Sequence, residues 1–521
     1  MTRSLPRATP ESQGLDPAAV SRLVAGLDGL EDVHSFMLLR HGAVVAEGWW
    51  DPYGPDLPHV MFSVSKSFAS TAVGLAVHEG LLSLDDRVID HLAAEAPAEP
   101  SENLAAMRVR HLLTMTSGHA MSTMEAVDTT SIGREGGDWV RQILAMPVDL
   151  EPGSRFVYNT GATYLAGVIV QRLTGQRLVD YLRPRVFDPL GITRATWEQD
   201  PDGLDVGGYG LSVTTEELAA FGQLYLQRGE WEGRQLVPAE WIDEATSAQV
   251  VSEHPDWPEW RQGYGYQFWR SRFGAYRADG AFGQYAVVWP EHDLVLAITS
   301  GIQNLQSVQD AVWAALLPTL DPGAAAEAGY AVPDAEGAPG SPRNAAAKPG
   351  ISWGGGAGPA PSGPAAPREG VTWDVALRVP EGAAASPLEE SVLGVTYELA
   401  ENDEGLRSLT MTRDGERLVL AQDVRGTVRT AALAHAAWEV ADASLAKGPV
   451  RLASAYAWAD DTTLSLRMVD TGSPFGWTIQ LRFDGSGASV AVLHDQNVSF
   501  GGETRLLDTT GTATTATTTA S

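Results

Sequence analysis

Cysteine is missing from this chain of 521 residues. Its absence excludes disulfides and thiolate-held metal sites. Positive charge is scarce as well: 36 Lys and Arg stand against 66 Asp and Glu, a formal net charge of −30. A chain with a pI near 4.6 lacks the basic patches that nucleic acid or an anionic membrane needs. Neither is expected as a partner. No run of about 18 apolar residues is available to span a bilayer. The opening Met1-Thr2-Arg3-Ser4-Leu5-Pro6 carries no apolar signal-peptide core, so a cytoplasmic setting is expected. The 11 histidines show no His-Glu-x-x-His or other paired metal spacing. No metal and no cofactor is expected.

Lysine is the scarcest basic residue. The chain has three, Lys66, Lys348 and Lys447, and all other basic positions are arginine. Arginine is effectively never deprotonated in a protein, whereas a buried lysine can be. A position that keeps lysine in such a chain points to a task arginine cannot do. Ser63 stands three residues earlier, in Met61-Phe62-Ser63-Val64-Ser65-Lys66-Ser67-Phe68. On a helix the two lie one turn apart on one face, the layout of a serine nucleophile beside an amine that takes its proton. Ser-x-x-Lys is a short pattern, and a capping serine followed by a surface lysine is the plain alternative. The flanks favour chemistry. Phe68, Ala69, Ala72, Val73, Leu75, Ala76 and Val77 make the helix apolar nearly all round and hence buried, with Gly80 as its predicted C-terminal stop.

Residues 10–320 read as one unit. Two apolar runs about His41-Gly42 predict a hairpin. Helical patterns follow over 108–116, 138–145, 163–174 and 215–228, and strand patterns return over 264–269, 285–289 and 294–299. Strands from both ends of the unit, with helices between, predict one sheet with a helical insertion. Residues 321–370 are rich in Ala, Gly and Pro and are expected as an unstructured linker. Within it, Gly350-Ile351-Ser352-Trp353-Gly354 matches Gly-x-Ser-x-Gly, but no strand or helix pattern flanks it, as that motif requires. Over 371–508 short strand patterns alternate with turns such as Asp414-Gly415 and Asp484-Gly485, the pattern of a small all-β domain. The Thr/Ala-rich residues 509–521 are expected as a disordered tail.

A lysine base needs a relay to carry the proton to the leaving group. Tyrosine both donates and accepts. Tyr158, in Tyr158-Asn159-Thr160 just before a predicted helix, is the best placed of 13 tyrosines. Ser63-Val64-Ser65-Lys66, Tyr158-Asn159-Thr160 and Gly280-Ala281-Phe282-Gly283-Gln284 stand in an order that resembles the serine β-lactamase and penicillin-binding-protein superfamily. The resemblance is to the class C-like branch of esterases, D-amino-acid peptidases and amide hydrolases. His111-Leu112-Leu113-Thr114-Met115-Thr116-Ser117-Gly118 and Gly207-Gly208-Tyr209-Gly210-Leu211 add to it. His111 itself is expected to be a structural partner at a helix start.

The resemblance implies an α+β fold: an antiparallel sheet flanked by helices, an all-helical subdomain, and Ser63 in the cleft between them. It implies Ser63 as the acylated nucleophile, with Lys66 and Tyr158 sharing the base and acid roles. The backbone amides of Ser63 and Ala281, the latter on the edge strand, would form the oxyanion hole. Asn159, Thr160, Asp279 and Gly280 fall at substrate-binding positions. Two departures stand out. The element after the tyrosine usually reads Tyr-Ser-Asn. The edge-strand triad usually begins with Lys or His, and here it aligns to Ala278-Asp279-Gly280. A carboxylate at that place would repel the carboxylate of a β-lactam, and Arg277 is expected to point away from it. The expected activity is therefore hydrolysis of a small neutral or cationic ester, amide or peptide, as an esterase or amidase/peptidase in preference to a true β-lactamase. The rival readings are a non-catalytic binding or regulatory protein of the same fold, and a ligand-binding role for the β domain.

Overall fold

The structure is a computed structural model, and it describes residues 5–127, 138–252, 257–330, 371–445 and 448–514. Seven strands form the central sheet: β1 (Val33–Arg40), β2 (Ala43–Asp51), β3 (Trp269–Arg270), β4 (Tyr276–Gly280), β5 (Gln284–Trp289), β6 (Leu294–Ser300) and β7 (Thr372–Ala376). Their order is β7-β2-β1-β6-β5-β4-β3. The sheet is antiparallel except for β7, which runs parallel to β2. That exception corrects two expectations. The sheet is not purely antiparallel, and residues 372–376 belong to it and not to the C-terminal β domain.

Strands β1, β4, β5 and β6 are buried on both faces, whereas β7 exposes Asp374 and Ala376, and alternation decides which face each residue serves. Phe36 and Leu38 point into the core under α1 (Pro17–Asp28), whereas Met37 and Leu39 point the other way, into the core of the helical region. On that second side lie α2 (Ser65–His78), α3 (Thr160–Thr174) and α4 (Thr215–Leu226). α5 (Leu305–Leu320) packs beside α1. The helices are well marked by their ends. Thr214 and Glu217 form a reciprocal capping box at the start of α4. α2 stops at Gly80, where the Leu81 amide returns to the Ala76 carbonyl at 2.9 Å and the Gly80 amide to that of Val77 at 3.0 Å.

The segment 264–268 is not a strand. Gln267, at φ 66°, turns the chain so that its own carbonyl accepts from Ser67 at 2.7 Å. Its side chain donates to the Leu112 and Leu113 carbonyls. Tyr264, Tyr266 and Phe268 are buried on this irregular segment. Residues 322–327, expected in the linker, form a short helix, α6 (Pro322–Glu327), capped by Asp321. Residues 331–370, with the Gly-x-Ser-x-Gly match, lie outside the described residues.

The C-terminal domain is a closed β-barrel of ten strands: β8 (Thr396–Leu399), β9 (Leu406–Asp414), β10 (Arg417–Val424), β11 (Thr427–His435), β12 (Glu439–Leu445), β13 (Gly448–Trp458), β14 (Thr463–Asp470), β15 (Gly476–Phe483), β16 (Ser489–Gln496) and β17 (Arg505–Thr514). A β11–β13 pairing at Ala434/Ala455 closes it. β17 carries residues 509–514, so that part of the expected tail is an ordered strand paired with β8. Residues 515–521 lie outside the described residues. The barrel docks on the first domain through named contacts. Arg467 pairs with Asp32 at 2.6 Å, the Val60 amide donates to the Gly472 carbonyl at 2.9 Å, and the Tyr53 hydroxyl donates to the Asp470 carbonyl at 3.3 Å.

Candidate active site

Ser63 sits in the 3-10 turn Phe62–Val64, which runs directly into α2. The first three turns of α2 are buried, so Lys66 is carried into the interior and is only 1% exposed. Its Nζ lies 2.8 Å from Ser63 Oγ and donates to the Gly208 carbonyl at 2.7 Å. Burial pushes the Lys66 pKa down to about 7, against the opposing pull of the Asp279 charge. Gly208 was noted in the sequence only as part of a family-like segment. Its use is to hold the amine through its backbone oxygen.

Tyr158 precedes the N-cap of α3. Its ring stacks on Trp269 at 5.8 Å, and the Lys66 ammonium lies 5.0 Å from its centroid. Burial drives the pKa of the Tyr158 hydroxyl well above the ordinary value, with the nearby Ser63 side chain opposing. Ser63, Lys66 and Tyr158 are thus brought together from the turn before α2, α2 itself and the segment before α3.

The neighbours of Tyr158 divide. Asn159 is fully buried and serves as the N-cap of α3: its Oδ1 accepts from the Gly161 amide at 3.0 Å and the Thr123 amide at 2.9 Å. The structure uses it to join two segments and does not leave it facing a substrate. Thr160 is half-buried and packs on Gly208, close to the anchor of Lys66.

Asp279 is on β4, 8% exposed, where its charge acts on Lys66. Arg277 does not point away from it. Residues two apart on a strand share a face, and Arg277 Nε donates to Asp279 Oδ2 at 2.8 Å. Arg277 is fully buried, lies 4.4 Å over the Trp260 ring, and is 3.6 Å from Glu259. Burial pushes the Asp279 pKa up to about 6, with Arg277 opposing. The charges form a chain, Arg272–Glu259–Arg277–Asp279, ending near Lys66. The sequence reading missed Glu259 and Arg272. Nothing local marks them, because they meet Arg277 only through the fold.

Gly280 ends β4. A Cβ there would lie 2.3 Å from the Met61 carbonyl, so glycine lets the strand end close against the Ser63 turn. Ala281 is not on the edge strand. It lies in the turn after β4, and the short β3 flanks that strand. The turn is pinned by Gln284, whose amide donates to the Ala281 and Ser300 carbonyls at 2.9 and 2.8 Å. His111 accepts from the Arg108 amide at 3.1 Å and closes the start of a short helix, Val109–Leu113, a structural use as expected.

The Beta-lactamase family model matches residues 30–321, more than half of the chain. The chain belongs to that family. It is part of the serine β-lactamase and penicillin-binding-protein-like superfamily, whose members are serine hydrolases. This family member is 25% identical over 252 residues to 6-aminohexanoate-dimer hydrolase of Paenarthrobacter ureafaciens, covering 44% of this chain and 64% of the relative. It is 28% identical over 155 residues to lovastatin esterase of Penicillium rubens, covering 25% of this chain and 37% of the relative. The chain therefore spans less than two thirds of either curated relative. Among solved structures, the octameric penicillin-binding protein homologue of Pyrococcus abyssi aligns over 95% of this chain and 99% of its own, at 16% identity and a TM-score of 0.46. No helix among the described residues is long and apolar enough to cross a membrane, and no cluster of His, Asp or Glu that could hold a metal occurs among them.

Proposed function

We propose that this family member cleaves an ester or amide through a covalent acyl-enzyme on Ser63. The observation that carries the reading is the 2.8 Å approach of a buried Lys66, with a pKa near 7, to the Ser63 hydroxyl. An amine poised near neutral pH is suited to general-base work. In its neutral form Lys66 keeps one N–H for the Gly208 carbonyl and turns its lone pair to the serine proton. Tyr158 has the opposite tuning. A phenol with a raised pKa stays protonated, so it is a relay and not the first base.

The steps follow. Ser63 Oγ bonds to the substrate carbonyl carbon as its proton passes to Lys66 Nζ. The carbonyl oxygen becomes an oxyanion between the Ser63 and Ala281 amides, where such donors contribute about 3 kcal/mol each. The tetrahedral species collapses, and the leaving alkoxide or amine takes its proton through Tyr158. Water then attacks the acyl-enzyme with Lys66 again as base.

Substrate charge is argued from β4. Ala278 replaces the usual basic residue and is buried in the core. The Arg277 cation is engaged with Asp279, Ser271 and Glu259. With the cation of β4 already paired, a neutral ester or amide fits better than a β-lactam. Relatives named as a 6-aminohexanoate-dimer hydrolase and a lovastatin esterase agree with hydrolysis as the reaction. The test is labelling with a fluorophosphonate and mass analysis of the Ser63 peptide, followed by a panel of p-nitrophenyl esters, D-aminoacyl amides and nitrocefin. Absence of both adduct and turnover would favour the non-catalytic reading.

A further inference from the structure

Two loops of the barrel reach the residues next to the proposed oxyanion donors. Phe475 lies between β14 and β15, and Phe500 between β16 and β17. On the first domain Phe62 immediately precedes Ser63, and Phe282 immediately follows Ala281. The four rings form one cluster. Phe62 and Phe282 are 5.6 Å apart, Phe475 lies 6.3 and 5.9 Å from them, and Phe500 5.6 and 4.7 Å. These separations are those of edge-to-face and tilted aromatic packing.

The loops are held in place. Asn497 donates to the Gly301 and Pro474 carbonyls at 3.2 and 2.8 Å and accepts from the Gly476 amide at 2.8 Å. The Ser499 amide donates to Gln303 at 2.9 Å. A Cβ on Gly301 would lie 2.4 Å from the Pro474 carbonyl, so the approach depends on glycine. The cluster is closed on the protein side, where Phe282 is 4% exposed, and open on the other, where Phe500 is 73% exposed. A pinned loop thus presents to solvent an apolar ring that packs on Phe62 and Phe282, the chain neighbours of the two proposed donors.

We propose that Phe475 and Phe500, with Phe62 and Phe282, form an apolar subsite shared by the two domains, which takes a hydrophobic group of the substrate beside the scissile carbonyl. The proposal rests on the Ser63 hydrolase reading. It makes the barrel part of substrate selection.

The test uses the full chain and two series of esters. One lengthens the acyl group from p-nitrophenyl acetate to octanoate. The other keeps acetate and lengthens the alcohol from ethanol to octanol. The readout is the ratio of kcat/KM for the long member to the short. The wild-type ratio is expected to be about tenfold or more in one series, since each buried methylene contributes about fourfold. Phe500→Ala and Phe475→Ala should lower that ratio by about tenfold. Gly301→Ala, which wedges the loops away without touching a ring, should lower it as well. The series that responds identifies which side of the substrate is bound. A flat wild-type ratio in both series, or a ratio that none of the three variants moves, overturns the subsite. A fluorophosphonate adduct on Ser63 together with a flat ratio defeats the subsite alone, whereas no adduct and no turnover defeats the hydrolase reading beneath it.

Discussion

Arg277 and Asp279 form a buried ion pair at 2.8 Å on one face of β4, with side chains 0% and 7% exposed. The pair changes the meaning of the carboxylate at this position. A lone Asp279 would set a negative field in the cleft; beside Arg277 its charge is largely compensated. What remains acts on Lys66, whose ammonium it favours while burial disfavours it.

Asp279→Asn should therefore move the acid limb of kcat/KM to lower pH, because the charge that holds the Lys66 pKa up is removed. It should also improve anionic substrates relative to neutral ones, since Arg277 loses its nearest counter-ion. A pH–rate series with nitrocefin and p-nitrophenyl butyrate reads both effects. A limb that moves to higher pH would contradict the assigned coupling.

Ser63→Ala should abolish turnover and fluorophosphonate labelling. The change is small and the site half-buried, so stability should shift by about 1 kcal/mol or less. Near-native turnover in this variant would remove Ser63 from the nucleophile role.

Activity of the unmodified protein should rise with pH through one ionisation near 7, as Lys66 loses its proton. Lys66→Arg should be as damaging as Lys66→Ala, because arginine keeps the charge but cannot accept a proton. Acylation of Ser63 measured in both variants against pH distinguishes a base from an electrostatic role. Substantial acylation in the arginine variant would rule out the base.

The same group predicts a stability effect. The unfolded chain holds the Lys66 proton to about 10.5, the fold only to about 7. Between these values the unfolded state binds more protons, so this group's contribution to stability rises with pH. Below pH 7 the fold carries the full cost of a buried ammonium. Lys66→Met should then raise stability at pH 6 by about 2 kcal/mol, after allowing for the orphaned Gly208 carbonyl. The gain should shrink toward pH 10. Unfolding midpoints of both proteins at pH 6 and 9.5 check it, and a gain independent of pH would refute it.

Much of this was legible in the sequence where function depends on residues close in the chain. Ser63 and Lys66 meet because a helix turn puts them together, and the near absence of lysine elsewhere marked the second of them. The apolar flanks of α2 announced its burial, and short strand patterns between turns announced an all-β C-terminal domain. Tertiary structure decided whatever depends on contacts between distant segments. Asn159 became a cap because Thr123 lies beside it. β7 entered the first sheet by pairing with β2 across more than 300 residues. Arg277 was misread although strand alternation alone puts it on the face of Asp279. Its buried partner Glu259 was another matter, since an ion pair inside a protein is set by where segments pack and leaves no periodic trace. Phe475 and Phe500 read as ordinary loop aromatics, and only the docking of the barrel brings their rings onto Phe62 and Phe282, the chain neighbours of Ser63 and Ala281.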